Sequence, residues 1–294
     1  MTAASTTAAS PMPRTLLATP AQQVPGQPAS AGGPAIDRDA ATLKFTIVTC
    51  TRNSIETLAD TIASVRRQTW PNVEHLFVDG GSTDGTLEMI REMAPDARIL
   101  ENVTGGISRA MNVGIENATG DVIAHLHGDD FYWDEHVLAR VAGAMQLTGA
   151  EWVFGHLKHF TTEQTFRDEG PRGLKPFSYW RYAAQFVSMV HPSVFISKRA
   201  FDEVGLFDTQ LRYAMDIDLF LRVAKRFEPA QVEETLAVFR LHDGSTSHSN
   251  QDASRWEEVV VRWRHAGHAP TAFAVFMARV SKRAVLRKLG LSTY

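Results

Sequence analysis

The pattern of hydrophobic and polar positions changes in character near residue 42. Residues 1–41 are dominated by Ala, Thr, Ser, Pro and Gln and hold six of the chain's 13 prolines. Such a segment buries too little apolar surface to offset the entropy of ordering it. From Leu43 onward, short apolar runs alternate with segments in which apolar side chains recur every three or four positions. The pattern predicts a disordered tail over 1–41 and a folded domain over 42–254.

Strands and helices alternate along the predicted domain. Apolar, β-branched runs predict strands over 45–50, 73–78, 98–100, 122–126, 152–154, 193–196 and 236–240. Helical spacing predicts helices over 87–93, 107–115, 135–146 and 215–225, and another beyond Ser254. A further helix is expected to open at Asn53, which forms a capping-box pattern with Glu56. This alternation indicates an α/β fold with a mostly parallel central sheet and helices on both faces.

Composition and charge narrow the class of protein. Apolar residues make up 44% and charged residues 21% of the 294 positions, which is typical of a globular protein. Thirty Lys and Arg against 33 Asp and Glu argue against a nucleic-acid binder, because such proteins carry a strong basic excess. The single cysteine, Cys50, excludes an intramolecular disulfide and a Cys-rich zinc site. We expect a cytoplasmic protein, since the apolar stretch over 269–277 is too short to cross a bilayer.

Acidic residues directly follow two of the predicted strands. Asp79 comes after the second strand, in a glycine-rich loop, and the segment 127–130 (His-Gly-Asp-Asp) follows the strand over 122–126. Ligands of open parallel sheets bind at the carboxyl ends of the strands, so the two clusters are expected to share one pocket. A carboxylate there accepts hydrogen bonds from a base or a ribose, or holds Mg²⁺ or Mn²⁺ against a diphosphate.

Two other nucleotide-binding folds lack their signatures here. A dinucleotide-binding fold would place Gly-x-Gly-x-x-Gly directly after the first strand, where residues 49–54 contain no glycine. The Gly-Lys-Ser/Thr signature of P-loop proteins is also missing from the sequence. Hydride transfer and Walker-type phosphoryl transfer are therefore disfavoured, and a nucleotide site with a metal ion remains.

Four segments, in their order along the chain, resemble family 2 glycosyltransferases with the GT-A fold. They are 78–86 (Val-Asp-Gly-Gly-Ser-Thr-Asp-Gly-Thr), 106–115, 118–121 and 126–130, within a similar region over about 43–245. The resemblance implies an inverting transfer from a nucleotide-diphospho-sugar donor, with Mg²⁺ or Mn²⁺. It further implies a sugar or lipid-linked sugar as acceptor, in bacterial polysaccharide or glycolipid assembly.

The resemblance also implies roles for individual positions. Nucleotide contacts are implied for Thr49, Thr51, Arg52, Asp79, Ser108 and His127, with Asp79 against the base. Arg109 is a departure, because many members of the family are acidic nearby; it either contacts the diphosphate or lies on a solvated helix face. Metal contacts are implied for Asp129 and His242, and His127 and Asp129 take the two acidic positions of the family's Asp-x-Asp motif. His127 departs from that motif, because it stands at a position where the family commonly has Asp. A neutral imidazole binds a ribose hydroxyl or a softer ion, but it adds no negative charge.

One acidic residue is implied as the catalytic base. Residues 215–222 resemble the family's segment Glu-Asp-x-Asp-Leu-x-Leu-Arg, with Met215 in place of the usual Glu. Asp216 and Asp218 lie two positions apart on the predicted helix and cannot share a face, and Asp216 matches the base position better. Its carboxylate would take the proton of the acceptor hydroxyl as that oxygen attacks the anomeric carbon. Asp218 is then expected to be a structural or ion-pair residue.

The departures at His127 and Met215 keep two other functions open. A catalytically silent protein that binds a nucleotide-sugar, or a scaffold protein, would tolerate both changes. A sugar-phosphate nucleotidyltransferase also uses a nucleotide and a metal on an α/β sheet. It would, however, place a Gly-rich loop with Arg or Lys after the first strand, which this chain lacks.

The segment 255–294 carries eight Lys and Arg against two Glu, with apolar residues interleaved. A basic amphipathic helix of this kind binds anionic membrane surfaces, which would place the protein peripherally at the inner face of the membrane. The pattern fits equally a helix that packs its apolar side on the core. His191 and His242 each have two interpretations, structural or functional. An aromatic cluster either stacks on a sugar or packs in the core; its members are Trp133, Phe177, Tyr179, Trp180 and Tyr182.

Overall fold

One mixed sheet of nine strands organises the part of the chain that the structure, a computed structural model, describes. The described residues are 43–161, 165–169, 177–184, 189–241 and 251–266, with six single positions between 274 and 285. The strands are β1 (Phe45–Thr51), β2 (Val73–Asp79), β3 (Arg98–Leu100), β4 (Val122–His125), β5 (Phe131–Tyr132), β6 (Trp152–Phe160), β7 (Phe166–Glu169), β8 (Val194–Ser197) and β9 (Ala230–Arg240).

Helices connect most of these strands. They are α1 (Leu58–Arg66), α2 (Thr86–Met93), α3 (Ile107–Asn117), α4 (Val137–Thr148), α5 (Tyr179–Ala184), α6 (Lys198–Val204), α7 (Met215–Arg226) and α8 (Gln251–Ala266), with a short 3-10 turn at His191–Ser193. Each strand and helix predicted from the sequence has a counterpart here. The sequence pattern did not predict β5, β7, α5 and α6, which are all seven residues or shorter.

The sheet has a parallel half and a mixed half. Its strand order is β3-β2-β1-β4-β8-β6-β9-β5, with β7 paired to β6. The first four strands of that order are parallel, whereas β8 runs antiparallel to both β4 and β6. In the parallel half the carboxyl ends of β1, β2 and β4 meet at one edge, since Thr51 pairs with Asp79 and Val48 with His125. The two predicted acidic clusters therefore emerge side by side.

Helices cover both faces of the sheet, as predicted. Successive side chains of a strand point to opposite faces, and β1 is buried along its whole length because both of its faces are covered. Phe45 and Ile47 belong to the apolar core with α4, and Val48 and Cys50 to the core with α3 and α7. The approach of α3 is close, because a Cβ atom added to Gly114 would lie 2.3 Å from Val48.

The capping-box prediction at Asn53 is wrong. Helix α1 begins at Leu58, five residues later, and Thr57 at its N-cap makes no side-chain cap. Asn53 has a left-handed backbone, with φ of 54°. Its side chain accepts a hydrogen bond from the main-chain N–H of Thr83 at 2.9 Å, and its own N–H donates to Ser82. Asn53 therefore joins the loop after β1 to the loop after β2 instead of starting a helix.

The described residues all belong to one compact unit. The predicted tail over 1–41 lies outside the described residues, and the predicted boundary between 254 and 255 falls inside α8, so the domain division stays a prediction. None of the described helices combines the length and the hydropathy that a bilayer crossing requires.

Candidate active site

The loop after β2 is built around Asp79, which is fully buried. Its Oδ1 accepts hydrogen bonds from the main-chain N–H groups of Gly81 and Ser82, at 2.9 and 2.8 Å. Its Oδ2 accepts from the hydroxyls of Thr51 and Ser82, at 2.9 and 2.5 Å. Since a carboxylate has about four acceptor positions, all are occupied. Asp79 thus shapes the loop here, and a contact with a base would need one of the two hydroxyls to turn away.

The segment after β4 carries two carboxylates in different environments. Asp130 is fully buried, and burial raises its pKa well above the ordinary range; its Oδ1 accepts from the main-chain N–H of Arg240 at 3.1 Å. Asp129 is only half-buried, and its main-chain carbonyl accepts from Arg240 Nε at 3.1 Å. Asp130 therefore ties this segment to β9, whereas Asp129 is the carboxylate that reaches the surface.

Three histidine rings lie next to this segment. The ring of His191 is edge-on to those of His125 and His127, with centroids 6.1 and 5.9 Å away. Burial lowers the pKa of all three, to about 3 for His125, so the rings are neutral at pH 7. Each has one buried nitrogen without a hydrogen-bond partner among the described residues: Nε2 of His125, Nδ1 of His127 and Nε2 of His191.

Sequence reasoning passed over His125, although a signal was present. His125 and His127 are two positions apart at the end of a strand, and residues so spaced along a strand lie on one face of a sheet. The pattern His-x-His at that strand end would therefore have paired the two rings.

Helix α7 brings Asp216 to the same place. Its Oδ2 lies 3.8 Å from Nδ1 of His191, and its Oδ1 accepts from the N–H of Ile217 at 2.7 Å. Burial, aided by the negative charge of Glu258, raises the pKa of Asp216 to about 7. This carboxylate therefore gains and loses a proton near neutral pH, as a general base must.

The neighbouring Asp218 has a structural environment, as its position two residues from Asp216 suggests. Its Oδ2 accepts a hydrogen bond from Arg222 Nε at 2.8 Å, and its Oδ1 lies 2.9 Å from Nε2 of His265. These partners lower the pKa of Asp218, although burial alone would raise it. Arg222 in turn donates to the carbonyls of Val204 and Leu206. Asp218 thus anchors α7 to its surroundings.

A continuous set of contacts joins the Asp79 loop to Asp216. In order, it runs from Asp79 through Thr51, Gly128, His127 and His191 to Asp216. The second step is close, because a Cβ added to Gly128 would lie 3.3 Å from the methyl group of Thr51. The ends of β1, β2 and β4 and the start of α7 therefore contribute to one neighbourhood.

Other predicted nucleotide contacts have different surroundings. Thr49 is fully buried, and its hydroxyl lies 2.9 Å from His75 Nε2, so it faces the interior and does not line the open end of the strand. Ser108 is also buried and donates to the carbonyl of Leu211 at 3.2 Å. Arg52 and Arg109 are exposed, the first against Gly80 and the second folded over Gly105. His242 lies outside the described residues.

The aromatic cluster divides between core and surface. Tyr182 is fully buried, and the ring of Phe177 packs against Trp152 at 5.7 Å between centroids. Trp180 is 48% exposed, and Trp133 has Lys158 Nζ 4.4 Å above its ring. A continuous sugar-stacking wall is therefore not formed by these residues together.

No group of three or more His, Cys, Asp or Glu side chains within the described ranges is arranged to hold a metal ion. A cation shared with a diphosphate needs fewer protein ligands, because phosphate oxygens and water supply the others. Asp129 and the neutral His127, whose Nδ1 lacks a partner among the described residues, fit such a shared site.

Comparison with known proteins assigns the chain to a family. The family described as "Glycosyl transferase family 2" matches residues 46–205, which is more than half of the chain. The chain belongs to this family. It is therefore a glycosyltransferase, and the family predicted from its motifs is confirmed. Asp216 lies beyond the matched range, so its role still depends on the geometry above.

Two bacterial relatives illustrate the similarity. An uncharacterized glycosyltransferase of Mycobacterium tuberculosis is 28% identical over 198 residues, covering 66% of this chain and 73% of the relative. The PGL/p-HBAD biosynthesis glycosyltransferase of Mycobacterium bovis is 30% identical over 183 residues, covering 60% of this chain and 68% of the relative.

Solved structures show the same fold at low sequence identity. Residues 1–349 of S. aureus TarS, in complex with UDP-GlcNAc, align with a TM-score of 0.65 at 16% identity, covering 80% of this chain and 72% of that one. The mannosyltransferase PcManGT from Pyrobaculum calidifontis, in complex with GDP-Man and Mn²⁺, aligns with a TM-score of 0.58 at 17% identity, covering 88% and 83%. The GT-A fold predicted from the sequence is confirmed.

Proposed function

We propose that this glycosyltransferase transfers a sugar, with inversion, from a nucleotide-diphospho-sugar to an acceptor hydroxyl, and that Asp216 is the catalytic base. One observation carries the proposal. Burial raises the pKa of the Asp216 carboxyl to about 7. This carboxylate lies 3.8 Å from His191, at the edge where the carboxyl ends of the parallel strands meet. Such a group is unprotonated often enough near pH 7 to accept a proton, and basic enough to attract one.

The donor would lie along the loops after β1, β2 and β4. The loop that Asp79 holds together would receive the base, and Thr51, bonded to Asp79, would line the nucleotide. The exposed guanidinium groups of Arg52 and Arg109 would reach the diphosphate. His127 would face the ribose or the diphosphate. Binding of a nucleotide-sugar is supported by two solved proteins of the same fold, which are complexes with UDP-GlcNAc and with GDP-Man.

Asp129 would hold Mg²⁺ or Mn²⁺ together with the diphosphate, with His127 as a neutral second donor. When bound, such an ion neutralises the negative charge that builds on the leaving nucleoside diphosphate. Support comes from the half-burial of Asp129 and from the Mn²⁺ in the PcManGT complex. His242, the second predicted metal ligand, stays a prediction because it lies outside the described residues.

The transfer step follows from the position of Asp216. Its carboxylate takes the proton of the acceptor hydroxyl while that oxygen forms a bond to the anomeric carbon, and the bond from that carbon to the diphosphate oxygen breaks. A single displacement of this kind inverts the anomeric centre. His191, neutral and against Asp216, limits where the carboxylate can turn.

The acceptor class is proposed from the relatives. One of them is named for PGL/p-HBAD biosynthesis, which supports a sugar or lipid-linked sugar acceptor in polysaccharide or glycolipid assembly. A peripheral membrane contact through the C-terminal segment suits a lipid-linked acceptor. Trp256 and Trp263 of α8 are 69% and 48% exposed, as side chains at a membrane interface would be. Flotation with anionic vesicles should carry the protein upward, and its absence would remove this part of the proposal.

Thermal-shift measurements with UDP-, GDP- and dTDP-sugars, each with Mn²⁺ or Mg²⁺, test donor binding. A ligand at 100 times its Kd should stabilise the fold by about 2.7 kcal/mol. Asp129→Ala should abolish the part of the shift that depends on the metal, and a retained full shift would refute the role of Asp129. The control is the thermal shift that the nucleotide-sugar produces without metal, which Asp129→Ala should keep. An equal loss of this metal-free shift would indicate that the substitution damages the fold.

Donor hydrolysis separates an enzyme from a silent binder. Wild-type protein should slowly release nucleoside diphosphate from the donor it binds, and Asp216→Asn should lose this activity while keeping the thermal shift. Binding without any turnover in the wild type would favour the scaffold alternative. Release of inorganic pyrophosphate from a nucleoside triphosphate and a sugar phosphate would favour the nucleotidyltransferase.

A further inference from the structure

Helix α8 follows the region that matches the family and is built into the neighbourhood of Asp216. The carboxylate of Glu257 accepts hydrogen bonds from three consecutive main-chain N–H groups, those of Arg212, Tyr213 and Ala214. The bonds from Arg212 and Ala214 are 3.0 and 2.8 Å long. Three successive amides that converge on one carboxylate form an anion-binding nest. This nest lies directly before α7, two residues from Asp216.

Within the first turn of α7, the N–H of Ile217 donates to the Asp216 side chain, but the side chain of the N-cap residue cannot act as a cap. Ala214, at the N-cap, has no oxygen in its side chain and makes no side-chain cap. The negative charge of Glu257 also lies at the positive end of the α7 dipole, where a carboxylate is stabilising. Glu257 thus acts as a cap from a distant helix, because it accepts from the N–H groups of the N-cap residue and of the two residues before it.

A second contact fixes α8 to α7 on the other side of Asp216. His265 lies 2.9 Å from the Oδ1 of Asp218, and the Tyr179 hydroxyl donates to the carbonyl of His265. Between the two contacts, Arg262 is fully buried, donating to Glu258 at 2.7 Å and to the carbonyl of Tyr182. The first turn of α7 is therefore held at both ends by α8.

We propose that Glu257 is a positioning residue, which holds the first turn of α7 so that the Asp216 carboxylate keeps its buried orientation toward the site. This proposal rests on Asp216 being the base. The titratable and charged groups around Asp216 are His191, Tyr182 of α5, and Glu258 and Arg262 of α8. Glu257 touches none of the reacting atoms and acts only through the main chain of 212–214.

The first test needs no substrate. Carboxyl ¹³C NMR follows the titration of Asp216 in wild type, Glu257→Gln and Glu257→Ala, with Asp216→Asn to assign the signal. Without the cap, the first turn of α7 loosens and water reaches Asp216. The titration midpoint should then fall from near 7 toward the ordinary value of an aspartate, more in the alanine variant than in the glutamine variant. A folded Glu257→Ala protein with an unchanged midpoint would overturn the proposal.

The second test is kinetic, and uses the donor sugar that wild-type protein hydrolyses fastest among UDP-Glc, UDP-GlcNAc, GDP-Man and dTDP-rhamnose. Glu257→Ala should lower kcat by about tenfold to a hundredfold, since small misplacements of a catalytic group cost this much. Its KM for the donor should stay within about twofold, because the donor loops are untouched. A proportional loss of kcat and of nucleotide-binding stoichiometry would instead indicate partial unfolding and would overturn the positioning role.

The control is Ala253→Ser, an exposed position in the first turn of α8 to which no role is assigned, and it should leave both readouts unchanged. Asp216→Asn distinguishes this proposal from the proposed function. If Asp216→Asn keeps full hydrolysis, the base assignment fails, whatever Glu257 does. If Asp216→Asn is inactive while Glu257→Ala is folded and fully active, only the positioning role fails.

Discussion

Asp216 should destabilise the folded protein above neutral pH, and replacing it should therefore increase stability. Burial raises its pKa from the usual 3.8 to about 7, so the folded state disfavours the charged form. Asn has nearly the same shape, keeps an oxygen that accepts from Ile217, and carries no charge. In Asp216→Asn the cost of burying the charge disappears, and the free energy of unfolding should rise.

The sign and size follow from linkage between protonation and folding. Near pH 4 and below, the folded protein holds the Asp216 proton and the carboxyl costs little. As the pH rises from 4 to 7, the unfolded chain loses this proton first, so the wild type loses stability. Above about pH 7 the full shift of about three pKa units applies, which corresponds to about 4 kcal/mol.

Urea denaturation of wild type and variant at pH 4.5 and pH 8 measures this difference. Asp216→Asn should be more stable than wild type by up to about 4 kcal/mol at pH 8, with a much smaller gain at pH 4.5. Asp218→Asn is the matched control, because the pKa of Asp218 is lowered and its charge is stabilising; it should lose stability at pH 8. If Asp216→Asn shows no gain at pH 8, the carboxylate is not held in a desolvated site and the reasoning fails.

Three further predictions concern packing, thiol reactivity and catalysis. Gly114→Ala should destabilise the fold by about 1–3 kcal/mol, because its Cβ would lie 2.3 Å from Val48. Gly143 is exposed on α4 with open space around it, so Gly143→Ala should stabilise the fold by up to about 1 kcal/mol. Thermal unfolding measures both variants, and similar effects of the two would refute the packing argument. Cys50 is buried with its pKa raised to about 12, so Ellman's reagent at pH 8 should label it only after denaturation, and rapid labelling of native protein would contradict this. Donor hydrolysis should rise with pH through about 7, as Asp216 loses its proton, and a rate that falls over that range would exclude Asp216 as the base.

The parallel half of the sheet was predictable because each of its strands has a clear local pattern of apolar and β-branched residues. The strand over 98–100 agrees residue by residue with β3, and β1 ends one residue beyond its predicted range. In α1, Leu58, Ile62 and Val65 recur at helical spacing and lie on the buried face of the helix. Strands buried on both faces, such as β1, are short runs of apolar and β-branched residues, and such runs are recognisable in the local sequence.

The parts that were missed depend on contacts distant in sequence. Asn53 and Glu56 have the spacing of a capping box, but Asn53 instead bonds to the loop 30 residues later, and no local pattern encodes that choice. The lengths of β6 and β9 were underestimated because each extends along its partner, from Val153 opposite Ala230 to Phe160 opposite Arg240. Contacts between distant parts of the chain therefore determine where α1 begins and how far β6 and β9 extend.

The candidate site shows the same division. Asp79, Asp129 and Asp216 were found because they stand in motifs at strand or helix ends. By contrast, Thr49 is buried away from the surface, and Glu257 caps the start of α7 from a distant helix. Both features depend on tertiary packing that one sequence does not reveal. In α8, Glu257, Glu258 and Arg262 face the protein, so the basic pattern of the segment described only part of its role.

In the proposed enzyme, the Asp79 loop, Asp129 and Asp216 serve one donor site. A crystal structure with Mn²⁺ and the nucleotide-sugar that gives the largest thermal shift tests it most directly. We predict the base in the loop after β2, the diphosphate at Asp129, and the Asp216 carboxylate facing the anomeric carbon from the side opposite the diphosphate. A nucleotide-sugar bound elsewhere, or an Asp216 carboxylate turned away from the anomeric carbon, would contradict the account.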